Sequence, residues 1–219
     1  MFIGHFGVAF AAKRYAPALS LGIAVLAAQW SDLVWPNLVL LGVEHVRIAP
    51  GDTAFTPLEF VDYPWSHSLV AVLGWGVLLG VLVWRWRRDL DAAWCVGGLV
   101  VSHWLLDAIS HRPDLPLAPG DDARIGLSLW DSIPATLLVE GALFAFGVTL
   151  YMRATRAKDA IGRWAPFALI ALLLGAYAGA VFGPPPPSPT AVALADEGMW
   201  LLVALAWWAD AHREIAKNG

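Results

Sequence analysis

Three ionisable side chains recur at four-residue intervals near the end of a long apolar run. His103, Asp107 and His111 occupy positions i, i+4 and i+8. Each four-residue step along an α-helix turns about 40° beyond a full revolution, so the three side chains are expected on one helical stripe. Imidazole and carboxylate groups bind zinc, manganese and iron. The spacing therefore predicts a stripe of metal ligands, and the alternative is a hydrogen-bonded cluster that orients the helix end.

The composition of the chain is that of a protein embedded in a membrane. Hydrophobic residues make up 58% of the 219 residues and charged residues only 15%, whereas a soluble domain carries about 25% charged residues. Several apolar runs approach the roughly 20 residues that cross a bilayer. We therefore expect a single integral membrane domain over residues 1–219, without a soluble domain. The single cysteine, Cys95, excludes an intrachain disulfide and a CxxC metal site.

The hydropathy pattern predicts an all-α fold, a polytopic helical membrane protein with about six transmembrane helices and a short N-terminal half-helix. The half-helix covers residues 1–12, which lack the basic start and the cleavage site of a removable signal peptide. It is expected to pack among the other helices with His5 above the cytoplasmic surface. The six spans are expected at residues 18–35, 66–86, 92–111, 134–152, 165–182 and 198–212.

The segments between these spans alternate in charge. Basic residues gather at one set of helix ends, namely Lys13, Arg14, Arg85, Arg87, Arg88, Arg153, Arg156, Lys158, Arg163, Arg213 and Lys217. The opposite segments are acidic, with Glu44, Asp52, Glu59, Asp62, Asp114, Asp121, Asp122, Asp131, Asp196 and Glu197. Lysine and arginine accumulate on the cytoplasmic side, so we expect the acidic loops outside and the C-terminus in the cytoplasm. Tryptophan beside arginine at residues 85–88 is typical of an interfacial anchor, so membrane lipids, and no nucleic acid, are the expected partners.

Ionisable residues on four predicted helices map to the same depth, near the outer ends of the spans. They are Asp32, His67, His103, Asp107, His111 and Glu140. Isolated structural polar residues would scatter in depth, and buried ionisable groups are costly unless they pair or bind an ion. The convergence predicts one polar pocket that opens at the outer face. Histidine and carboxylate without cysteine predict a divalent metal cofactor, with zinc as the first expectation and manganese or iron as alternatives.

Two further features bear on this pocket. A surplus of ligands beyond four would suit two adjacent ions. The long segment at residues 42–65 is expected to be a lid or a binding loop, or else a solvated connector.

Four short motifs together resemble a known family. They are Ile3-Gly4-His5, Ser31-Asp32 followed by Pro36, Ser66-His67-Ser68-Leu69, and Ser102-His103 followed by Asp107. In this order they resemble the bacterial inner-membrane metal-dependent hydrolases, also described as LexA-binding inner-membrane-associated hydrolases. The resemblance covers roughly the first half of the chain. It implies a location in the bacterial inner membrane and a hydrolase activity, with His5, Asp32, His67, His103 and Asp107 as metal ligands or their supporters.

The chain also departs from this family's pattern. The family usually has a Pro-Asp-x-Asp-His-Pro sequence, but residues 31–36 here lack its second acid and its histidine. Asp62 stands where the family tends to have a histidine, five residues before His67. His111 extends the helical stripe beyond the family motif. These differences indicate a divergent member with a rearranged ligand set.

Three functions fit these residues. The first is a metal-dependent hydrolase at the outer membrane face that acts on a lipid or phosphoester. Its core ligands would be His67, His103 and Asp107, its further ligands or supporters His5, Asp32 and His111, and its general base Glu140 or Asp131. The second is an ion or proton transporter that uses the same groups as a relay. The third is a non-catalytic membrane protein with a structural metal or polar cluster, whose site would be closed rather than open to a cavity.

Overall fold

Ten α-helices form most of residues 1–216, the part of the chain that the computed structural model describes. They are α1 (Ile3–Tyr15), α2 (Leu21–Ala28), α3 (Trp30–Leu40), α4 (Pro64–His67), α5 (Leu69–Arg87), α6 (Leu90–Ser110), α7 (Ile133–Ala154), α8 (Ala160–Phe182), α9 (Pro189–Asp196) and α10 (Met199–Ala211). Five segments are long and apolar enough to span a membrane, namely α5, α6, α7, α8 and the stretch formed by α9 and α10. Helices α2 and α3 form a sixth candidate span that is bent by 54°. The predicted all-α polytopic membrane fold is confirmed.

Three of the predicted spans have clearly different bounds, and the one predicted from residue 165 is α8, which begins at Ala160. The span predicted at residues 18–35 consists of α2 and α3, which meet at Gln29. The span predicted from residue 198 begins earlier, at Pro189. Proline is well suited to the first helical turn, where its missing N–H has no partner to lose. The Ser188 hydroxyl adds a cap by accepting a hydrogen bond from the Ala191 amide at 3.1 Å.

Helix α6 ends at Ser110, so the prediction that His111 continues the helical stripe is wrong. His111 follows the helix in an extended conformation, with φ −67° and ψ 150°. The residue before a proline is disfavoured in a helix, and Pro113 lies only two positions beyond His111. His103 and Asp107 remain on one face of α6, while His111 belongs to the following loop.

Three short antiparallel strand pairs lie at the ends of the helices. They are β1 (His45–Ile48) with β2 (Leu58–Asp62), β3 (Leu115–Pro116) with β4 (Arg124–Ile125), and β5 (Thr155–Ala157) with β6 (Arg213–Ile215). The first two pairs lie where α6 ends and α7 begins, which we call the site end. The third pair lies where α7 ends and α8 begins, which we call the basic end.

Helix α1 is the half-helix predicted at residues 1–12, and it continues to Tyr15. Nearly all of it is buried, and it packs closely along α7. A Cβ atom on Gly147 would lie only 1.9 Å from the carbonyl oxygen of Gly7, so the two backbones touch there. Small residues permit this kind of close helix packing in membranes. The N-terminal end of α1, with His5, lies at the site end, and its last turn carries Lys13 and Arg14.

A buried ionic network holds four helices together at the basic end. Lys13 Nζ on α1 lies 2.7 Å from Asp210 Oδ2 on α10. The same carboxylate accepts hydrogen bonds from the Tyr151 hydroxyl at 2.9 Å and from the Leu21 amide at 3.0 Å. These donors come from α7 and α2, so Asp210 links α1, α2, α7 and α10. A buried carboxylate is tolerated when it is paired and hydrogen-bonded in this way.

Candidate metal centre

Four helices bring five donor side chains together near the site end. His5 lies on α1, Asp32 on α3, His67 on α4, and His103 and Asp107 on α6. Asp107 is central, because its Oδ1 lies 3.0 Å from His5 Nε2 and its Oδ2 lies 3.0 Å from His103 Nε2. The same Oδ2 lies 3.8 Å from His67 Nε2. Asp32 Oδ1 completes the cluster at 3.3 Å from His67 Nε2 and 3.5 Å from His103 Nε2.

The spacing of these atoms resembles that of ligands around one ion. Two sets have all their donor atoms within 4.8 Å of one another, namely His5 with His103 and Asp107, and Asp32 with His67 and His103. Four donors placed about 2.1 Å from a tetrahedral ion lie about 3.4 Å apart, close to the distances observed here. Because both sets include His103, they form one compact cluster. Four of the five side chains are almost completely buried, and that of Asp32 is 25% exposed.

The carbonyl group of Ala28 fixes the orientation of the His103 ring. His103 Nδ1 lies 2.7 Å from this oxygen. A carbonyl oxygen only accepts hydrogen bonds, so Nδ1 carries the proton and donates it. Ala28 is the last residue of α2, where helix carbonyls lack partners within the helix. His103 Nε2 is thereby turned toward Asp107 and Asp32, and it has no hydrogen-bond partner within residues 1–216.

A second chain of hydrogen bonds orients His67. Its Nδ1 lies 2.7 Å from Ser66 Oγ, and Ser66 Oγ lies 2.6 Å from Glu44 Oε2. A carboxylate only accepts, so the single hydroxyl proton of Ser66 points to Glu44 and the hydroxyl oxygen accepts from His67 Nδ1. Glu44 is itself held by the amides of Trp65 and Ser66, at 2.7 and 2.9 Å. His67 Nε2 is thus also turned toward the carboxylates.

In the neutral form of both rings, Nε2 carries no proton and faces carboxylate oxygens. Lone pairs at such distances repel each other unless a proton or a metal ion lies between them. His5 differs, because its Nε2 makes a hydrogen bond of 3.0 Å with Asp107 while its buried Nδ1 has no partner within residues 1–216. Its ring stacks on that of His103, with centroids 3.8 Å apart. The amino group of Met1 also contacts Asp107, and it donates to Ser110 Oγ at 2.9 Å.

Comparison with known proteins gives one finding. The model of the YdjM inner membrane protein family matches residues 2–183. The chain belongs to the YdjM inner membrane protein family. No curated protein and no solved structure gives a significant match.

Membership of the YdjM inner membrane protein family supports the predicted membrane location and agrees with the resemblance noted from the motifs at the level of an inner-membrane family. All five converging donors lie inside the matched range of residues 2–183. Helices α9 and α10 lie beyond it. The family description names a location and no reaction, so the hydrolase activity remains a matter of proposal.

His111 lies beside the cluster and outside both donor sets. Its Nδ1 is 3.0 Å from Asp114 Oδ1, and its ring packs against Trp130 with centroids 4.3 Å apart. Burial disfavours the ionised form of Asp114, but hydrogen bonds from His111, Tyr63 and Arg112 outweigh it and lower the pKa of this carboxyl. His111 therefore takes part in a loop network at the mouth of the site, and its role as a metal ligand stays a prediction.

The two residues predicted as general bases lie in different surroundings. Glu140 is fully buried on α7, where its Oε2 accepts hydrogen bonds from the amides of Phe2 and Gly4 at 2.8 and 3.1 Å. It thus satisfies the free amides at the start of α1 and helps to place His5. Asp131 is exposed on a 3₁₀ turn at Leu129–Asp131. Neither residue lines the cavity beside the donors, and their catalytic roles stay predictions.

A cavity of about 520 Å³ opens onto the cluster at Asp32, His67 and Asp107. A second cavity, of about 460 Å³, adjoins it between residues 50–58 and residues 179–186. The predicted lid or binding loop at residues 42–65 is the β1–β2 hairpin, and it forms walls of both cavities. Phe55 anchors it by stacking on Trp130, with ring centroids 5.7 Å apart. The donor cluster is therefore connected to an open space.

Proposed function

We propose that the protein is a metal-dependent hydrolase whose His/Asp cluster holds a divalent cation at the outer membrane face. The observation that carries this proposal is His103 Nε2, which is buried, lies 3.0 and 3.5 Å from oxygens of Asp107 and Asp32, and has no hydrogen-bond partner within the described chain. A proton on this nitrogen would be expected to align with one of these oxygens. A cation shared by the nitrogen and both carboxylates would satisfy all three groups.

The charges of the cluster favour a divalent ion. Asp32 and Asp107 each carry a negative charge when ionised, and the histidines oriented by Ala28 and Ser66 are neutral ligands. The amino group of Met1 contacts Asp107, and a divalent ion would also compensate the charge of Asp32, because isolated charges are costly in a membrane protein. A set of imidazoles and carboxylates without a thiolate suits zinc first and manganese or iron as alternatives.

The open cavity supports a catalytic rather than a structural site. A bound divalent ion would supply Lewis-acid polarisation of a phosphoryl or carbonyl oxygen and would activate water. The donor cluster would hold the ion from one side. Three of its members, Asp32, His67 and Asp107, border the cavity that would admit the substrate. Structural metal sites are closed, whereas catalytic ones keep an accessible position. The substrate that we propose is a lipid or another phosphoester at the membrane surface.

Transport through the same groups has less support. A proton or ion relay needs polar groups that continue across the membrane. Along α1, every residue between His5 and Lys13 is apolar or glycine, and Phe6 and Phe10 are buried there. The Lys13–Asp210 pair therefore lies apart from the cluster on this helix. This arrangement favours an enzyme with its site at one end of the helices.

The metal content of purified protein tests the proposal. Wild type, His103→Ala and Asp107→Ala are purified in detergent without chelators and analysed by plasma mass spectrometry. We expect about one ion per wild-type chain and at least about tenfold less in both variants, because each loses a direct donor. His212→Ala is the matched control, because this histidine pairs with Asp159 at the basic end, 2.7 Å away. It is expected to retain the wild-type metal content.

Hydrolysis of bis(p-nitrophenyl) phosphate, a soluble phosphodiester, is then measured for the same proteins. The rate is expected to follow metal content across the series. Wild type without metal above background, after zinc, manganese and iron have been resupplied, would exclude the metallohydrolase. A metal-loaded wild type with no more hydrolysis than Asp107→Ala would instead indicate a structural site.

A further inference from the structure

The cavity beside the metal donors has two kinds of wall. At one end it is bounded by Asp32, His67 and Asp107. Its flank comes from α8 and from the α9–α10 segment; Asp196 contributes one carboxyl, and the apolar lining residues include Leu172, Ala176, Ala180, Met199, Leu201 and Leu202. The charged groups and the apolar flank face one continuous space of about 520 Å³. A small soluble phosphoester would use only the polar end of this space.

The flank lies between two helical segments that separate toward the site end. Near the basic end they touch, since a Cβ on Gly162 would lie 1.9 Å from the carbonyl oxygen of His212. Farther along, the cavity lies between them. Leu172 on α8 is 46% exposed and Leu201 on α10 is 60% exposed, and both border the cavity. Because both segments are long and apolar enough to span a membrane, the opening between them faces hydrocarbon.

Small residues keep this opening unfilled. Leu172, Ala176 and Ala180 follow one another at four-residue intervals and so share one face of α8. The neighbouring face carries Leu173 and Tyr177, which are buried in the protein core. Alanine at positions 176 and 180 leaves room where a larger side chain would occupy the cavity. The cleft thus results from the sequence of α8 itself.

We infer that this cleft receives one acyl chain of a bilayer phospholipid, which enters sideways between α8 and α10 while its phosphate reaches the donor cluster. This inference rests on the proposed function, because the phosphate is placed by the metal at the donor cluster. The polar end provides groups for a metal that would polarise a phosphoryl oxygen, and the apolar flank provides a surface for the chain. Phospholipid acyl chains already surround α8 and α10 at this depth.

The direction of α8 sets the orientation of the bound chain. This helix runs from Ala160 at the basic end to Phe182 at the site end. At about 1.5 Å per residue, Leu172 lies roughly 12 Å deeper than Ala180. The first carbons of the chain therefore lie near Ala180 and the later ones near Leu172. This is the orientation of a phospholipid in the leaflet at the site end.

Photo-crosslinking in vesicles tests the inference. Full-length protein is reconstituted in phosphatidylethanolamine and phosphatidylglycerol vesicles that contain a small fraction of phosphatidylcholine with a diazirine in one acyl chain. After illumination, labelled residues are identified by peptide mass spectrometry. We expect label on Met199 and Trp35, which line the cavity but are only 6% and 3% exposed. Leu174 faces outward on α8, away from the cavity, and reports general contact with lipid.

Two variants in which tryptophan replaces an alanine of α8 provide the comparison. Ala176→Trp fills the cleft, so label on Met199 and Trp35 is expected to fall about tenfold because an overfilled site excludes the chain. Ala178→Trp places the same side chain on an exposed position that does not line the cavity. It is expected to leave label on Met199 and Trp35 unchanged. Label on Leu174 should stay constant in all three proteins.

Three results would overturn the inference. One is the absence of label on Met199 and Trp35 in wild type, and another is equal label in Ala176→Trp and Ala178→Trp. The third is loss of the label when a polyprenyl phosphate is added at the mole fraction of the probe, because the cleft would then prefer an isoprenoid chain. The labelling readout does not depend on turnover, and the experiment is repeated on chelator-treated protein. Failure of the metal proposal would leave the label in place, and failure of the cleft would leave metal binding in place.

Discussion

The positions of two protons determine how the cluster presents its imidazoles. The Ala28 carbonyl accepts a hydrogen bond from Nδ1–H of His103, and the Ser66 hydroxyl oxygen accepts one from Nδ1–H of His67. Both rings then direct Nε2 toward the carboxylates of Asp32 and Asp107. Groups that hold the far nitrogen of a histidine in this way fix its tautomer and its orientation as a ligand. The affinity for a cation is therefore set by the donors and also by the residues that orient them.

Ser66→Ala tests whether the Ser66 hydroxyl orients His67 as a ligand. The substitution removes the group that links His67 Nδ1 to Glu44. We expect zinc affinity to fall about 10- to 100-fold, the usual loss when a residue that orients a metal-bound histidine is removed. Affinity is measured by competition with a fluorescent chelator on detergent-purified protein.

Ser102→Ala is the matched control for this experiment. Ser102 precedes His103 as Ser66 precedes His67, but its Oγ donates only to the Leu99 carbonyl of the same helix, at 2.7 Å. Zinc affinity is expected to stay at the wild-type value. Equal losses in both variants would mean that the contact between Ser66 and His67 does not control the ligand.

Sequence reasoning singled out all five side chains that converge, but it missed those that orient them. Hydropathy places four of them, Asp32, His67, His103 and Asp107, at one depth, and the family resemblance adds His5. Glu44 lies 21 positions or more from the residues it contacts, and its role depends on the β1–β2 hairpin, which no local pattern predicts. The Ala28 carbonyl has no side-chain signal at all. His111 was placed on the stripe because helical periodicity does not show where a helix ends.

Among the elements, α1 carries His5 and is too short to be held by the membrane alone. Glu140 accepts hydrogen bonds from its first amides, and Lys13 pairs with Asp210 near its other end. Between these two contacts the helix packs against α7 through Gly7 and Gly147. Close packing of small residues is the main source of helix association in membranes. The position of His5 therefore depends on how closely α1 approaches α7.

Gly147→Ala is expected to displace α1. The new methyl group would lie 1.9 Å from the Gly7 carbonyl oxygen, so the helices must separate. We expect a loss of about 1–3 kcal/mol in the free energy of unfolding, as is usual for overpacking, together with reduced metal content. Gly141→Ala on the same helix meets nothing within 4 Å and should behave as wild type. Thermal unfolding and plasma mass spectrometry measure both effects, and normal metal content in Gly147→Ala would show that α1 does not set the site.

The bend between α2 and α3 shows what sequence patterns could not provide. Hydropathy predicts one span over residues 18–35, and Pro36 is the obvious place for an interruption. The structure keeps Pro36 inside α3 and bends the chain at Gln29 instead. Neither glycine nor proline marks this position. The bend coincides with a tertiary contact, because His103 donates to the carbonyl of Ala28 just before it, and contacts of this kind are not encoded in local propensity.

At the scale of the whole molecule, the cluster couples metal binding to stability. The donors come from α1, α3, α4 and α6, so one ion would join four separate segments of the chain. A ligand that binds only the folded state stabilises it, by about 2.7 kcal/mol at a concentration of one hundred times the dissociation constant. Without the ion, Asp107 keeps only the amino group of Met1 as a compensating charge, and Asp32 faces only the histidines.

Chelation is therefore expected to lower the thermal unfolding midpoint of the wild-type protein, and added zinc is expected to restore it. His103→Ala should have a lower midpoint that responds to neither treatment, because it lacks the donor shared by both sets. His212→Ala should respond as wild type does. Differential scanning fluorimetry in detergent follows these changes through the many tryptophans. A wild-type midpoint that is indifferent to chelator and zinc would contradict coupling between the ion and the fold.

The distribution of charge across the molecule predicts which face of the membrane the site occupies. Most of the lysines and arginines lie at the basic end, against Arg47, Arg112 and Arg124 at the site end. Because such residues accumulate on the cytoplasmic side, the site end should face outward. Cys95→Ala provides a background without thiols, into which Asp121→Cys and Lys158→Cys introduce one exposed thiol at each end. On intact cells, a membrane-impermeant maleimide should label Asp121→Cys and should label Lys158→Cys only after permeabilisation. The reverse pattern would place the donor cluster on the cytoplasmic side, where a phospholipid substrate would have to come from the inner leaflet.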